Sequence, residues 1–165
     1  MKLFKKVLRE EVLESVLIEL SENIEEDVWG SNRRFWNPRL LSNNLGTVSV
    51  KTISDKLKIK VLDSLKNILP KSNNIVVQMY VWDTNSGISI HDDGSHVFAA
   101  TVYLNKTWDA NFGGWFIWQE KDEWKVLLPE YNTLVLNDEK QNHTVTPISH
   151  QIPEARYTLQ IFGKD

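Results

Sequence analysis

Four histidines stand in the chain, His91, His96, His143 and His150, and the first of them opens the tripeptide His91-Asp92-Asp93. The tripeptide falls where a β-run is starting. Side chains two apart on a strand point to the same face, so His91 and Asp93 can converge on one ion while Asp92 points away. A second imidazole, from His143 or His150, would complete the set of two histidines and one carboxylate that leaves open positions on a non-haem Fe(II). Cysteine is absent, which removes disulfides, thiol nucleophiles, iron–sulfur clusters and cysteine zinc sites together. Any metal must therefore sit on His, Asp or Glu. By itself such a tripeptide also reads as a solvated turn, and His96 and His150 read as loop or surface histidines.

The elements that must position these residues follow from periodicity. The chain has 165 residues, 41% of them hydrophobic and 25% charged, with 7 Gly and 5 Pro. This predicts one folded domain over residues 1–165 and excludes collagen-like, disordered and membrane-spanning classes. Over residues 9–26, Val12, Val16, Leu20 and Ile24 recur on one face with charges opposite, the pattern of an amphipathic helix. Residues 4–8 read as a short strand leading in. Ser54 and Asp55 signal a second helix carrying Leu57, Val61, Leu62, Leu65 and Leu69, which Pro70 stops. Between the helices, residues 29–46 mix two Trp, three Arg and a Pro without a clean period, and read as a long loop.

From Ile75 the period changes. Residues 75–82, 96–105, 115–118, 124–128, 133–136, 143–146 and 156–162 are short runs rich in β-branched and aromatic side chains, separated by Asn, Asp, Gly and Pro. Two helices followed by seven or eight short strands predict an antiparallel sandwich or jelly roll, with helical support from residues 1–74 and a β core from residues 75–165. Residues 1–74 hold 13 Lys/Arg and 10 Asp/Glu, while residues 75–165 hold 6 and 12. An acidic second half makes nucleic acid an unlikely partner. The basic start, Met1-Lys-Leu-Phe-Lys-Lys, is followed by Arg9, Glu10, Glu11 and Glu14 and has no apolar run of signal-peptide length. The expected setting is cytoplasmic, with no membrane partner; oligomeric state is not legible.

After Asp93 come Thr101-Val-Tyr-Leu-Asn-Lys-Thr-Trp-Asp-Ala, Gly113-Gly114, His143-Thr-Val-Thr-Pro and Arg156-Tyr-Thr-Leu-Gln-Ile-Phe, in that order. This succession resembles the Fe(II)- and 2-oxoglutarate-dependent dioxygenases, most of all the prolyl hydroxylases of the oxygen-sensing and related microbial branch. The resemblance covers roughly residues 75–163, and its most specific element is the Tyr-Leu-Asn-Lys-x-Trp-Asp-Ala stretch ahead of the glycine pair. It implies a double-stranded β-helix, mainly β with N-terminal helices, in which His91, Asp93 and His143 bind Fe(II). His143 is preferred to His150 because His143, Val145 and Pro147 match the family's His-x-Val-x-Pro. Arg156, with Tyr103 and Thr158, would hold the distal carboxylate of 2-oxoglutarate, since a guanidinium fork suits a carboxylate and a buried carboxylate needs such a partner. Tyr80 lies near a second pocket tyrosine of the family, and Val145 belongs to the same pocket. Implied cosubstrates are 2-oxoglutarate and O₂, with ascorbate as a candidate reductant.

The implied reaction converts 2-oxoglutarate to succinate and CO₂ while hydroxylating a C–H bond, in the first instance of a prolyl residue in a protein or peptide. The departures bear on substrate: 12 residues separate His143 from Arg156, more than in the similar branch, Ile88 stands where Tyr is frequent, and Trp115 follows the glycine pair. No Arg lies between Asp93 and the next strand, where His96 stands instead. Rival readings are a dioxygenase of a small molecule or nucleobase, a non-oxidative cupin-like or lectin-like sandwich, and a sandwich without a site. Seven tryptophans are many for this length. Trp82 and Trp118 are expected inside the sandwich. The 29–46 loop reads either as a cover over the active-site mouth or, more simply, as a segment that its aromatic residues pin to the core; substrate is expected to enter beside it, with Trp36 and Arg34 on it, and Trp108 beyond it, as contacts.

Overall fold

The computed structural model describes residues 1–26, 29–41 and 44–165. In chain order the elements are β1 (Lys2–Lys5), α1 (Glu10–Glu26), β2 (Gly30–Ser31), α2 (Asn32–Phe35), a 3-10 turn (Pro38–Leu41), β3 (Val48–Thr52), α3 (Asp55–Leu65) and β4 (Asn74–Trp82). Then follow β5 (Ile88–His91), β6 (Phe98–Tyr103), a 3-10 turn (Ala110–Phe112), β7 (Phe116–Glu120), β8 (Glu123–Leu127), β9 (Thr133–Asn137), β10 (His143–Val145) and β11 (Arg156–Lys164). A seven-stranded sheet in the order β1-β9-β6-β11-β4-β3-β2 faces a four-stranded sheet in the order β5-β10-β7-β8. Every pairing is antiparallel, and the result is the jelly roll anticipated from the strand pattern.

Period-2 alternation along the central strands decides what each face of the large sheet does. On β4, Val77 and Met79 join Leu159 and Ile161 of β11 in an apolar core beneath the helices, together with Val12, Leu13, Val16 and Leu20 of α1 and Leu57, Val61 and Leu65 of α3. The intervening residues, Tyr80 and Trp82, face the small sheet and pack in a second cluster with Phe116, Trp118 and Val145. The β11–β4 register sets Arg156 opposite Trp82, Thr158 opposite Tyr80 and Gln160 opposite Gln78. The helices therefore brace one face and leave the other, with Arg156 and Thr158, turned toward the small sheet. Ser54 caps α3 by accepting from the Leu57 N–H, and Glu19 of α1 receives the Ser54 N–H at 2.7 Å, which ties the start of α3 to the middle of α1.

Two sequence expectations change here. Residues 29–46 are not simply a loop: within them lie β2, α2 and the Pro38–Leu41 turn, while Ser42 and Asn43 fall outside the described residues. Their periods were invisible because none exceeds four residues. β3, which no run of the sequence announced, continues the large sheet, so β1, β2 and β3 from residues 1–74 supply three of its seven strands. Among the described residues, no helix is long and apolar enough to cross a membrane.

Candidate active site

His91 ends β5 and His143 opens β10, and the antiparallel register sets these two residues directly opposite each other, with their rings 4.1 Å apart between centroids. Asp93 reaches the same point by a different route from the one its spacing implied. The strand stops at His91, and the chain turns through Asp92, whose carboxylate accepts from the Gly94 N–H at 2.9 Å, leaving Asp93 in the left-handed region at φ 59°. The turn, not strand alternation, brings the Asp93 carboxylate to 3.4 Å from His91 Nε2 and 3.3 Å from His143 Nε2.

The other nitrogen of each ring is fixed. His91 Nδ1 lies 2.8 Å from the Ser89 carbonyl and His143 Nδ1 lies 2.9 Å from the Gln141 carbonyl. Each carbonyl favours a proton on Nδ1, which leaves both Nε2 lone pairs turned to one point, the arrangement a metal requires. Phe116 stacks on His143 with centroids 5.1 Å apart, and Asn137 lies between Asp93 Oδ2 and the Gln141 carbonyl, at 3.5 and 3.2 Å. Burial alone would raise the Asp93 carboxyl, but the hydrogen bond from His91 and the charges of His143 and His91 hold it below its ordinary value. Burial lowers His143; at His91 the same burial is outweighed by Asp93, which raises it. One ligand atom from each of the three residues lies within 4.8 Å of the others. His150 sits in an exposed turn, and of the two it is His143 that stands with His91 and Asp93.

A cavity of about 300 Å³ runs between the sheets past these residues. At one end Arg156 is buried, with neither Nε nor Nη1 hydrogen-bonded. Its guanidinium lies 5.1 Å from the Trp82 ring and 5.2 Å from the Tyr103 ring. The Tyr103 hydroxyl is likewise buried without a partner, and burial pushes it up to about 12, so it is a neutral donor at physiological pH. Thr158 accepts from Trp82 Nε1 at 2.9 Å and from Gln160 Nε2 at 3.1 Å, which leaves its own hydrogen to give. Tyr80 and Val145 line the cavity beside Arg156, whereas Tyr103 and Thr158 stand behind its wall. Among the described residues no acid pairs with Arg156, and a buried cation so placed fits a bound carboxylate. Leaving such a charge unpaired costs about 3–5 kcal/mol.

Several residues that build this end were not assigned to it from sequence. Asn105 accepts from the Tyr157 N–H at 2.7 Å and donates to the Ala155 carbonyl at 3.0 Å, gripping the main chain on both sides of Arg156. Trp108 donates to the Gly113 carbonyl at 2.9 Å, which steadies the glycine pair. At Gly114, with φ 66°, a Cβ would come within 3.3 Å of Arg156 Cδ. The Tyr-Leu-Asn-Lys-x-Trp-Asp-Ala-to-Gly-Gly stretch is thus a frame around one arginine, and the signal for it was present in the motif.

Of the expected substrate contacts, Trp36 lines the cavity, but Trp108 packs edge-on against Phe112 and is not among the lining residues, and Arg34 is exposed outside it. Trp29 donates to the Asn23 carbonyl and packs on the helix-side core. His96, read as a loop or surface residue, does lie in a loop but is half-buried, packs at a tilt against Phe162 with centroids 4.7 Å apart and lines the cavity.

The fold is shared with solved structures of low sequence identity. A prolyl-4-hydroxylase of Pseudomonas putida superposes with a TM-score of 0.74 at 15% identity, over 99% of this chain and 92% of the other. A prolyl hydroxylase of Trichoplax adhaerens, solved with a hypoxia inducible factor oxygen degradation domain peptide fragment, gives 0.77 at 17%, over 99% and 83%. A prolyl 4-hydroxylase of Phytophthora capsici gives 0.64 at 16%, over 97% and 57%. No curated protein matches the chain by sequence. The model of the 2OG-Fe(II) oxygenase superfamily matches residues 75–163, more than half of the chain and all of its candidate ligands, and the chain accordingly belongs to that superfamily, as a 2-oxoglutarate-dependent iron dioxygenase.

Proposed function

We propose that the chain hydroxylates a prolyl residue within a protein or peptide, with His91, Asp93 and His143 as the Fe(II) ligands and Arg156 as the anchor of 2-oxoglutarate. The observation that carries the reading is the pairing of two unmet demands in one cavity: converging Nε2 and carboxylate atoms on one wall, and a buried guanidinium without an acid at the end. Fe(II), 2-oxoglutarate and O₂, when bound, supply an oxidant that leaves succinate and CO₂ and puts one oxygen atom into a substrate C–H bond. The chain's own part is positional. Arg156 binds the distal carboxylate, Tyr103 and Thr158 back its guanidinium and the Trp82 indole from behind the wall, Tyr80 and Val145 shape the wall, and Phe116 with the Gln141 carbonyl keeps His143 turned toward the metal. Trp82 covers the guanidinium and keeps water from it.

Support for a peptide substrate comes from the shape of the trough and from one neighbour. Arg156, Thr158, Gln160, Phe162 and Lys164 share one face of β11, so the floor runs about 27 Å from the anchor outward at roughly 3.4 Å per residue. Between the two cations the floor is uncharged, with Gln78, Thr101 and Gln160 offering amides and a hydroxyl of the kind main-chain groups pair with. The Trichoplax enzyme holds a peptide fragment. The test is incubation of the iron-loaded enzyme with host proteins, followed by peptide sequencing for residues that gain one oxygen atom. Modified prolyl residues are expected. Succinate formation driven only by a free amino acid or a nucleobase would overturn the prolyl reading and leave the dioxygenase standing.

A smaller prediction concerns the frame around the anchor. Asn105→Ala strands a buried N–H and a buried carbonyl beside Arg156, so stability is expected to fall by about 1–3 kcal/mol. KM for 2-oxoglutarate should rise while metal affinity holds. Gly114→Ala should act in the same direction, since a side chain in the left-handed region costs about 1–2 kcal/mol and here would press on Arg156. Denaturant unfolding and cosubstrate kinetics on both variants check this; an unchanged KM in both would remove the frame from the cosubstrate site.

A further inference from the structure

Trp36, between α2 and the Pro38–Leu41 turn, brings its indole to 5.9 Å from the Tyr80 ring and 5.9 Å from the Trp82 ring, which are themselves 6.1 Å apart. The three rings close a triangle on the cavity wall. Both partners of Trp36 serve the Arg156 end. Trp82 lies against the guanidinium and gives its N–H to Thr158. Tyr80 turns its ring to the cavity, and its hydroxyl reaches Gln78 Oε1 at 3.5 Å.

The indole is delivered by a braced segment. Ser31 caps α2 by accepting from the Arg33 N–H at 3.3 Å, and the Trp36 N–H reaches the Asn32 carbonyl at 2.8 Å. Asn32 is fully buried, and Arg33 donates to the Gly46 carbonyl at 3.0 Å, joining the start of the segment to its end. One side chain, held at both ends of its segment, thus touches two walls of the pocket that would receive the carboxylate.

We propose that Trp36 is a positioning residue of the cosubstrate site: its indole fixes the Trp82 face on which Arg156 stacks and holds the Tyr80 ring against it, so that the residues from α2 to the Pro38–Leu41 turn complete the 2-oxoglutarate pocket. The inference rests on the reading of Arg156 as the carboxylate anchor. It also separates Trp36 from a substrate-only role, in which its loss would leave cosubstrate affinity intact, and from simple pinning of the segment, in which any apolar side chain would do.

Calorimetric titration of N-oxalylglycine, an unreactive isostere of 2-oxoglutarate, into the Mn(II)-loaded protein tests it without turnover. Trp36→Ala should weaken binding roughly tenfold, the order that loss of two aromatic contacts gives, with Mn(II) affinity unchanged. Trp36→Phe, which keeps the ring contacts, should recover most of that loss, and Trp36→Leu should not. If Trp36→Ala fails to hold Mn(II) as the wild type does, the Phe and Leu variants decide by the same comparison. Wild-type affinity in Trp36→Ala, or equal affinities in the Phe and Leu variants, overturns the proposal. Arg156→Ala is titrated alongside: full binding there brings down the anchor reading itself, whereas loss there with retention in Trp36→Ala removes Trp36 alone.

Discussion

Asp93→Ala is expected to abolish 2-oxoglutarate-dependent turnover and to leave the fold standing. Asp93 is the sole anion of the proposed ligand set, and its two neighbours are uncharged imidazoles when they bind metal. Loss of a hydrogen bond to a metal ligand already costs roughly 10–100-fold in affinity or activity, and removal of the ligand costs more. Stability of the metal-free protein should fall modestly, because the His91 hydrogen bond and the charges of His143, His91 and His96 hold the carboxyl below its ordinary value despite burial, a contribution lost at neutral pH with the carboxylate, and because Ala is less tolerant than Asp of the left-handed backbone there. Thermal unfolding of the apoprotein, metal titration and succinate release measure the three quantities separately. Retained Fe(II) affinity in Asp93→Ala, or its loss in His150→Ala rather than in His143→Ala, would displace the ligand assignment.

The second large effect has an unusual sign. Arg156→Met should lower affinity for 2-oxoglutarate by about two orders of magnitude or more, as expected for breaking a buried ion pair worth about 3–5 kcal/mol, without removing the metal. The same substitution should raise the stability of the cosubstrate-free protein. Without a bound carboxylate, Arg156 is a cation deep in the sandwich whose Nε and Nη1 have no partner, and replacing buried ionic groups with apolar ones of similar volume is neutral or stabilising by about 1–4 kcal/mol. Adding 2-oxoglutarate should then raise the melting temperature of the wild type and not that of the variant. A destabilised Arg156→Met apoprotein that still responds to 2-oxoglutarate would refute the anchor.

The large elements were legible because their periods are long enough to register. Val12, Val16 and Leu20 announce α1, and the β-branched runs announce most strands of both sheets. β3 and the short elements between residues 30 and 41 were not, because two to five residues fit several periods equally well. The clustering of the candidate ligands is legible as chemistry, its geometry is not. His-x-Asp reads as neighbours on one strand face, whereas β5 ends at His91 and a left-handed Asp93 swings back to meet it. Alternation and a tight turn give the same spacing, and sequence alone does not separate them. Asn105 and Gly114 were visible within a motif, but their purpose depends on the main chain they grip or approach, which only the folded strand brings beside them. His96 escaped because its partner, Phe162, lies on a strand 66 positions away.

The most direct measurement combines both halves of the site in one spectrum. Fe(II) and 2-oxoglutarate are added to the protein without oxygen, and the visible region is followed for the weak charge-transfer band of an iron-bound 2-oxo acid. The wild type should show the band only when both are present, Asp93→Ala should show none, and Arg156→Met should need far more 2-oxoglutarate to develop it. A wild type that shows no band at saturating Fe(II) and 2-oxoglutarate, or an Asp93→Ala variant with the full band, would contradict the account.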